Sequence, residues 1–159
     1  LAQSTLMASA GVNSPLGRSA FTVGWDGYPQ ARARLMQTVA DARLMDVVML
    51  GGDVHMNVAA QLRLQANDER SPILASEVVT TSVSSRGMSQ KLLSQIQSAN
   101  PDIRHARANE RGYTLLDIRP DRLTAQFRTT PHPAAPDARL GVQGTWTVVQ
   151  GVAGVQPVS

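Results

Sequence analysis

Cysteine is absent from this chain of 159 residues. That excludes disulfides, thiolate nucleophiles and sulfur-ligated zinc or iron, so any metal must sit on oxygen and imidazole. Long apolar runs are absent too: the longest uninterrupted one, Val47 to Leu50, is far below the ~20 residues of a helical membrane span. Lysine is nearly absent. Lys91 is the single one, and arginine supplies the rest of the 15 basic residues, which leave a formal net charge of +3. The arginines alternate with Asp and Glu instead of forming a block, so the phosphate-tracking stripe of a nucleic-acid binder is not there. No internal repeat and no low-complexity segment is found. The first basic residue is Arg18, so the start carries no n-region of a signal peptide and no twin-arginine signal. Leu1 stands where an initiator Met would, which fits either a mature processed protein or a fragment of a longer chain.

Apolar residues at 42% and charged residues at 17% describe an ordinary globular chain, neither coiled coil nor disordered. The length suits one domain, which buries roughly 70% of its unfolded surface. Residues 1–24, with weak periodicity, scattered Ser and Gly, Asn13 and Pro15, predict an irregular lead-in with a short helical turn near Leu6. After Pro29 the spacing of Ala31, Leu35, Val39 and Ala42 predicts a helix over 30–44, with Arg32 and Arg34 on other faces. Asp46 to Leu50 then predicts a strand buried on both faces. Val58, Ala60, Leu62 and Leu64 alternate with Ala59, Gln61 and Arg63, the pattern of a strand with one polar face. Glu77 to Thr81 predicts a third strand, and Met88, Leu92 and Ile96 a short helix over 87–99 ended by Asn100-Pro101. Gly112 to Ile118 and Leu123 to Arg128, joined by Arg119-Pro120-Asp121-Arg122, predict a hairpin. Gln143 to Gln150 predicts a last strand, before a tail over 151–159 that frays. Helices feeding buried strands make this an α/β chain with a mixed sheet and flanking helices.

Chemistry concentrates in Gly51-Gly52-Asp53-Val54-His55, just past the carboxyl end of a buried strand, where open α/β sheets place ligand crevices. Two residues apart in an extended loop, Asp53 and His55 can point the same way and offer a carboxylate and an imidazole to one ion. Taken alone, the pentapeptide fits a Gly-Gly turn with a surface Asp and a half-buried His better. In Trp25-Asp26-Gly27-Tyr28, Asp26 and Tyr28 either reach the site rim or, as we favour, belong to a helix entry where Trp25 packs and Asp26 caps. Arg111 can bind a phosphate oxygen or pair with an acid such as Glu110, the commoner case. Ser82, Ser84 and Ser85 read as loop hydrogen bonders, and His105 and His132 as surface residues.

Taken in order, Trp25-Asp26-Gly27-Tyr28, the Gly52-Asp53-Val54-His55 string, Glu77 with Thr80 to Ser85, Asn100-Pro101 and Arg111-Gly112-Tyr113 resemble the alkaline phosphatase D family of metallophosphoesterases over nearly the whole chain. Asp102 and His105 depart from that pattern, so nothing catalytic is carried onto their segment. The resemblance covers only the family's carboxyl-terminal part, since the family holds its first metal ligands in a longer amino-terminal half. It implies that residues 1–159 form one half of an α-β-β-α sandwich, with an apolar sheet face exposed where the other half belongs. It further implies that Asp53 and His55 are the last ligand motif of a catalytic site holding calcium with iron, that the substrate is a phosphate ester, and that the protein is exported. The competing expectation is an inert structural remnant or binding module.

Overall fold

The computed structural model describes residues 1–133 and 135–158. The elements, in chain order, are β1 (Val12–Ser14), β2 (Gly17–Ser19), α1 (Pro29–Asp41), β3 (Val47–Gly51), β4 (Asn57–Arg63), β5 (Ile73–Val79), α2 (Gln90–Ala99), β6 (Ile103–Arg107), β7 (Glu110–Arg119), β8 (Arg122–Pro131), β9 (Gly141–Val149) and β10 (Gln156–Pro157). A 3-10 turn at Trp25–Gly27 precedes α1. One four-stranded sheet runs β3-β5-β4-β6 and the other β10-β9-β8-β7, while β1 and β2 form a small hairpin. Among the named strands of the described residues β3 and β5 pair in parallel and the other pairs are antiparallel, with one further parallel bridge between Ala2 and Leu50.

Two cores result. Met36 and Val39 of α1 and Leu93 and Ile96 of α2 pack with Met49, Val58, Ala60, Leu62 and Val79 on one face of the first sheet. Ala59 and Val78, on its opposite face, meet Ala125, Phe127, Trp146 and Val148 of the second sheet. The strands expected in one mixed sheet, half of a sandwich, instead divide between two facing sheets, so the layers are helices, sheet, sheet, and the period-two alternation of β4 and β5 divides their side chains between two interiors. No helix among the described residues is long and apolar enough to cross a membrane.

Several expectations need correction. The second face of β4 is not solvated: Ala59 is fully buried against the second sheet, and Gln61 and Arg63 are bound to the Asp102 carboxylate. The buried stripe of α1 includes Arg32, expected on another face. Its apolar stem lies in the core while its head donates to the carbonyls of Met7 and Arg63 at 3.2 and 3.3 Å, as long basic side chains do when their tips find acceptors. In α2 it is Leu93, not Leu92, that points inward. The helix starts at Gln90, after Ser89 has capped it by accepting from the Leu92 amide at 3.3 Å, so Met88 lies outside it and the inward face is carried by Leu93 and Ile96, three residues apart. The tail is not frayed: Val155 is buried and Gln156 and Pro157 pair with Thr147 and Trp146. The lead-in is not wholly irregular: β1 and β2 pair within it, Leu6 lies in extended chain instead of a helical turn, and Leu6, Met7, Ala8 and Ala10 are held in the core.

What fixes that lead-in is Glu77, fully buried in β5. Its carboxylate accepts the Met7 amide at 2.7 Å and the Ala8 amide at 2.8 Å, replacing the sheet partners this stretch lacks. Arg32 takes the Met7 carbonyl. Upstream, residues 1–3 lie along the outer side of β3, with the Gln3 amide donating to the Leu50 carbonyl and the Leu50 amide to that of Leu1.

Candidate functional site

The chain leaves β3 through Gly51, whose missing side chain lets the Thr5 carbonyl pack directly on the backbone. Two of the next residues, Asp53 at φ 65 and His55 at φ 54, occupy the left-handed region without being glycine. Such conformations are costly and persist only where the surroundings impose them, which is typical of ligand-binding loops. Here the Val54 amide closes a three-residue turn on the Gly52 carbonyl at 2.7 Å, and the side chains of Val54 and Met56 are anchored in the core. Asp53 at the apex of the turn is exposed, and His55 is half-buried. The two lie just beyond the carboxyl end of β3.

The imidazole of His55 is oriented. Its Nδ1 lies 2.9 Å from the Arg86 carbonyl; a carbonyl only accepts, so Nδ1 carries a proton, and in the neutral imidazole the lone pair is then on Nε2. A backbone carbonyl on one ring nitrogen is the usual way of preparing the other to ligate a metal. Behind the loop, Asn57 is fully buried. Its Oδ1 accepts the Thr81 amide at 2.9 Å and its Nδ2 donates to Gln143 Oε1 at 3.1 Å. Gln143 also meets His105 and Glu110. A polar network between the sheets thus ties the start of β4 to the Thr/Ser loop and to β9.

Two clefts flank the loop. On the β3 side, Ser4, Thr5, Gly24, Trp25, Tyr28 and Ala31 line about 250 Å³, and Tyr28 is exposed there. On the other side, Arg86, Gly87, Ala108, Asn109, Arg111 and His132 with Pro133 enclose about 320 Å³. Gly87 joins this second cleft to the site, since a side chain there would come within 2.6 Å of the His55 carbonyl and 2.7 Å of that of Ala108.

Tyr28 lines the cleft that reaches the loop through Ser4 and Thr5, and Arg111 lines the one that reaches it through Gly87. Asp26 joins neither cleft. Nor does it cap α1, whose N-cap has no side-chain hydrogen bond: its carboxylate accepts from the amides of Ala10 and Phe21 and from the Ser9 hydroxyl. Trp25 packs on the core and donates to Gln3 at 3.1 Å. Arg111 does not pair with the Glu110 carboxylate, because successive strand residues face opposite ways; that carboxylate binds Arg107, while Arg111 takes the carbonyls of Ala108 and Glu110. His105 is not on the surface but stacks on Phe127 with ring centroids 5.6 Å apart, and burial lowers its pKa. His132 is half-buried. Arg86 and His132 are brought to Arg111, and to its chain neighbour Asn109, only by the fold, and no spacing in the chain announces them. Ser82 is a loop hydrogen bonder, donating to the Ser85 carbonyl at 2.7 Å.

As a donor set for a metal, Asp53 and His55 fit in kind, a carboxylate without an internal partner among the described residues beside a prepared imidazole nitrogen. They do not fit in number. Among the described residues no group of three or more His, Asp or Glu is placed to hold one ion.

The model of the PhoD-like phosphatases matches residues 1–127. The chain belongs to the PhoD-like phosphatase family. It is 30% identical over 138 residues to alkaline phosphatase D of Bacillus subtilis (strain 168), covering 85% of this chain and 24% of that protein. It is also similar to a solved structure of PhoD, with a TM-score of 0.86 and 27% identity across the whole of this chain and 31% of that one. The chain therefore spans a quarter to a third of the length of these relatives.

Proposed function

We propose that this chain is the carboxyl-terminal portion of a metal-dependent phosphoester hydrolase, with Asp53 and His55 as metal ligands at the reaction centre. The observation that carries the reading is the His55 ring, held by its Nδ1–H on the Arg86 carbonyl with Nε2 left free beside an exposed Asp53. Membership of the PhoD-like family supplies the reaction class, and the resemblance points to calcium with iron. When bound, such ions neutralise phosphate charge and make water acidic enough to act as a nucleophile near neutral pH. The chain's own part is to present one oriented imidazole and an exposed carboxylate from a strand end, with Tyr28 and Arg111 in the neighbouring clefts for the substrate.

Two ligands do not complete a dinuclear shell, so hydrolysis requires further sequence of the kind the relatives carry outside the matched stretch. The same sequence would complete the α-β-β-α sandwich. In support, α1 and α2 cover only the first sheet, while Tyr113, Leu115 and Val142 of the second are exposed. Export is inferred from the resemblance alone.

The test places Asp53→Ala and His55→Ala in the protein with that further sequence. Each should lower bound metal and cut hydrolysis of a chromogenic phosphate ester by several orders of magnitude, with Tyr28→Phe far milder. His55→Ala that keeps both its metal and its turnover would overturn the reading. Robust metal-dependent turnover by the 159 residues alone would overturn the need for further sequence, and an inactive longer protein would favour an inert folded module.

A further inference from the structure

The cleft beside His55 carries a feature that no internal contact explains. Arg111 is only 4% exposed, yet among the described residues it hydrogen-bonds only through Nη1, to the carbonyls of Ala108 and Glu110. Its Nε is buried without a partner. A guanidinium presents Nε–H and one Nη2–H as parallel donors, the edge that matches two oxygens of a phosphate or carboxylate. Leaving a buried charged donor unmade is expensive, and Arg111 is one of the residues that line the 320 Å³ cleft.

The lining of that cleft has one sign of charge. Arg86, exposed, and His132 join Arg111 there with the amide of Asn109, and among the described residues no carboxylate lines it. The nearest acid in the chain, Glu110, is engaged by Arg107, Thr129 and Gln143. The walls are fixed: Arg86 is held by its carbonyl to His55, and Gly87 packs against the carbonyls of His55 and Ala108.

We propose that Arg86, Asn109, Arg111 and His132 form a phosphate-binding subsite distinct from the Asp53–His55 pair, with the Nε edge of Arg111 as its buried anchor. Its role in turnover rests on the hydrolase reading above, but its binding chemistry does not, because none of its groups needs a metal. The occupant is a phosphate group, either a second one on the substrate or the inorganic phosphate that hydrolysis releases.

The first experiment therefore excludes metal. The 159-residue chain, in chelator at low ionic strength, is titrated with inorganic phosphate and followed by amide chemical shifts. The expected result is saturable shifts confined to Arg86, Gly87, Ala108 to Arg111 and His132. Arg86→Ala, at the exposed end, should weaken binding at least tenfold, and Arg111→Lys, which keeps the charge but loses the planar fork, should do the same. Should Arg111→Lys fail to fold, Arg86→Ala decides alone. Absent or scattered shifts, or unchanged affinity in Arg86→Ala, would overturn the subsite whether or not Asp53 and His55 bind metal. A second arm, in the hydrolytically active protein, separates the sources. If Arg86→Ala raises KM for a bisphosphorylated substrate but not for a monophosphate, the occupant is a substrate phosphate. If it relieves inhibition by added phosphate, the occupant is the product. No effect on either overturns the subsite as part of the enzyme.

Discussion

Glu77 is an acid in the middle of a sheet, fully buried, facing the helices from β5. Burial pushes its pKa up to about 7, opposed by the amides of Met7 and Ala8 and by the charge of Arg32. Because the folded-state value lies above the ordinary carboxyl value of 4.5, the folded chain holds this proton over a range where the unfolded chain has lost it. The associated stability is full below about pH 4.5 and is lost as pH rises through about 7. Urea unfolding of wild type against E77Q isolates this group: the wild-type advantage should shrink between pH 4.5 and 7.5, and an advantage that grows with pH would refute the assignment. At acidic pH E77Q should itself be less stable by about 1–3 kcal/mol, since an amide group cannot accept from both Met7 and Ala8 and leaves one buried donor unmet.

At the scale of elements, the loop holding Asp53 and His55 is shaped from outside, by the Arg86 carbonyl and by the close approach of Gly87. Gly87→Ala should cost about 1–3 kcal/mol, as overpacking a tight contact does, because its methyl group would press on the carbonyls of His55 and Ala108. A thermal melt within a degree of wild type would show that the segment yields freely. The same loop marks what could be read from the chain. The buried run of β3 and the glycines after it place Asp53 and His55 at a strand end, and α1, α2 and the β7–β8 hairpin follow from their spacing and turn residues. β6 does not: Ile103-Arg104-His105-Ala106-Arg107 holds three basic residues and a register shift against β4, so no alternation announces a strand. The burial of Leu6 to Ala10 was equally hidden, because its backbone is satisfied by side chains far along the chain. The phosphate-binding cleft joins two loop segments to the start of β7, and no pattern links them. Only in the fold does Arg111 lose Glu110 as a partner, by the strand geometry that sends neighbours to opposite faces.

For the molecule as a whole, the layers share one sheet. β4 and β5 give Val58, Ala60, Leu62 and Val79 to the helix-side core and Ala59 and Val78 to the core between sheets, so neither interior can open without disturbing the strands that close the other. Each holds one of the two tryptophans of the chain: Trp25 packs on the first core and Trp146 lies in the second. Single-tryptophan variants, Trp25→Phe and Trp146→Phe, therefore report the two interiors separately in urea. If the layers form one cooperative unit, adding Phe127→Ala to either background should remove about 3–5 kcal/mol, as truncating a fully buried aromatic residue does, and should lower both fluorescence transitions by the same amount. Phe127 sits in the inter-sheet core alone, so loss of the Trp146 transition with the Trp25 transition unmoved would mean that the second sheet detaches by itself. In that case Gln143 would release Asn57, and the Asp53–His55 loop would lose its brace from β9 while β3 stayed folded.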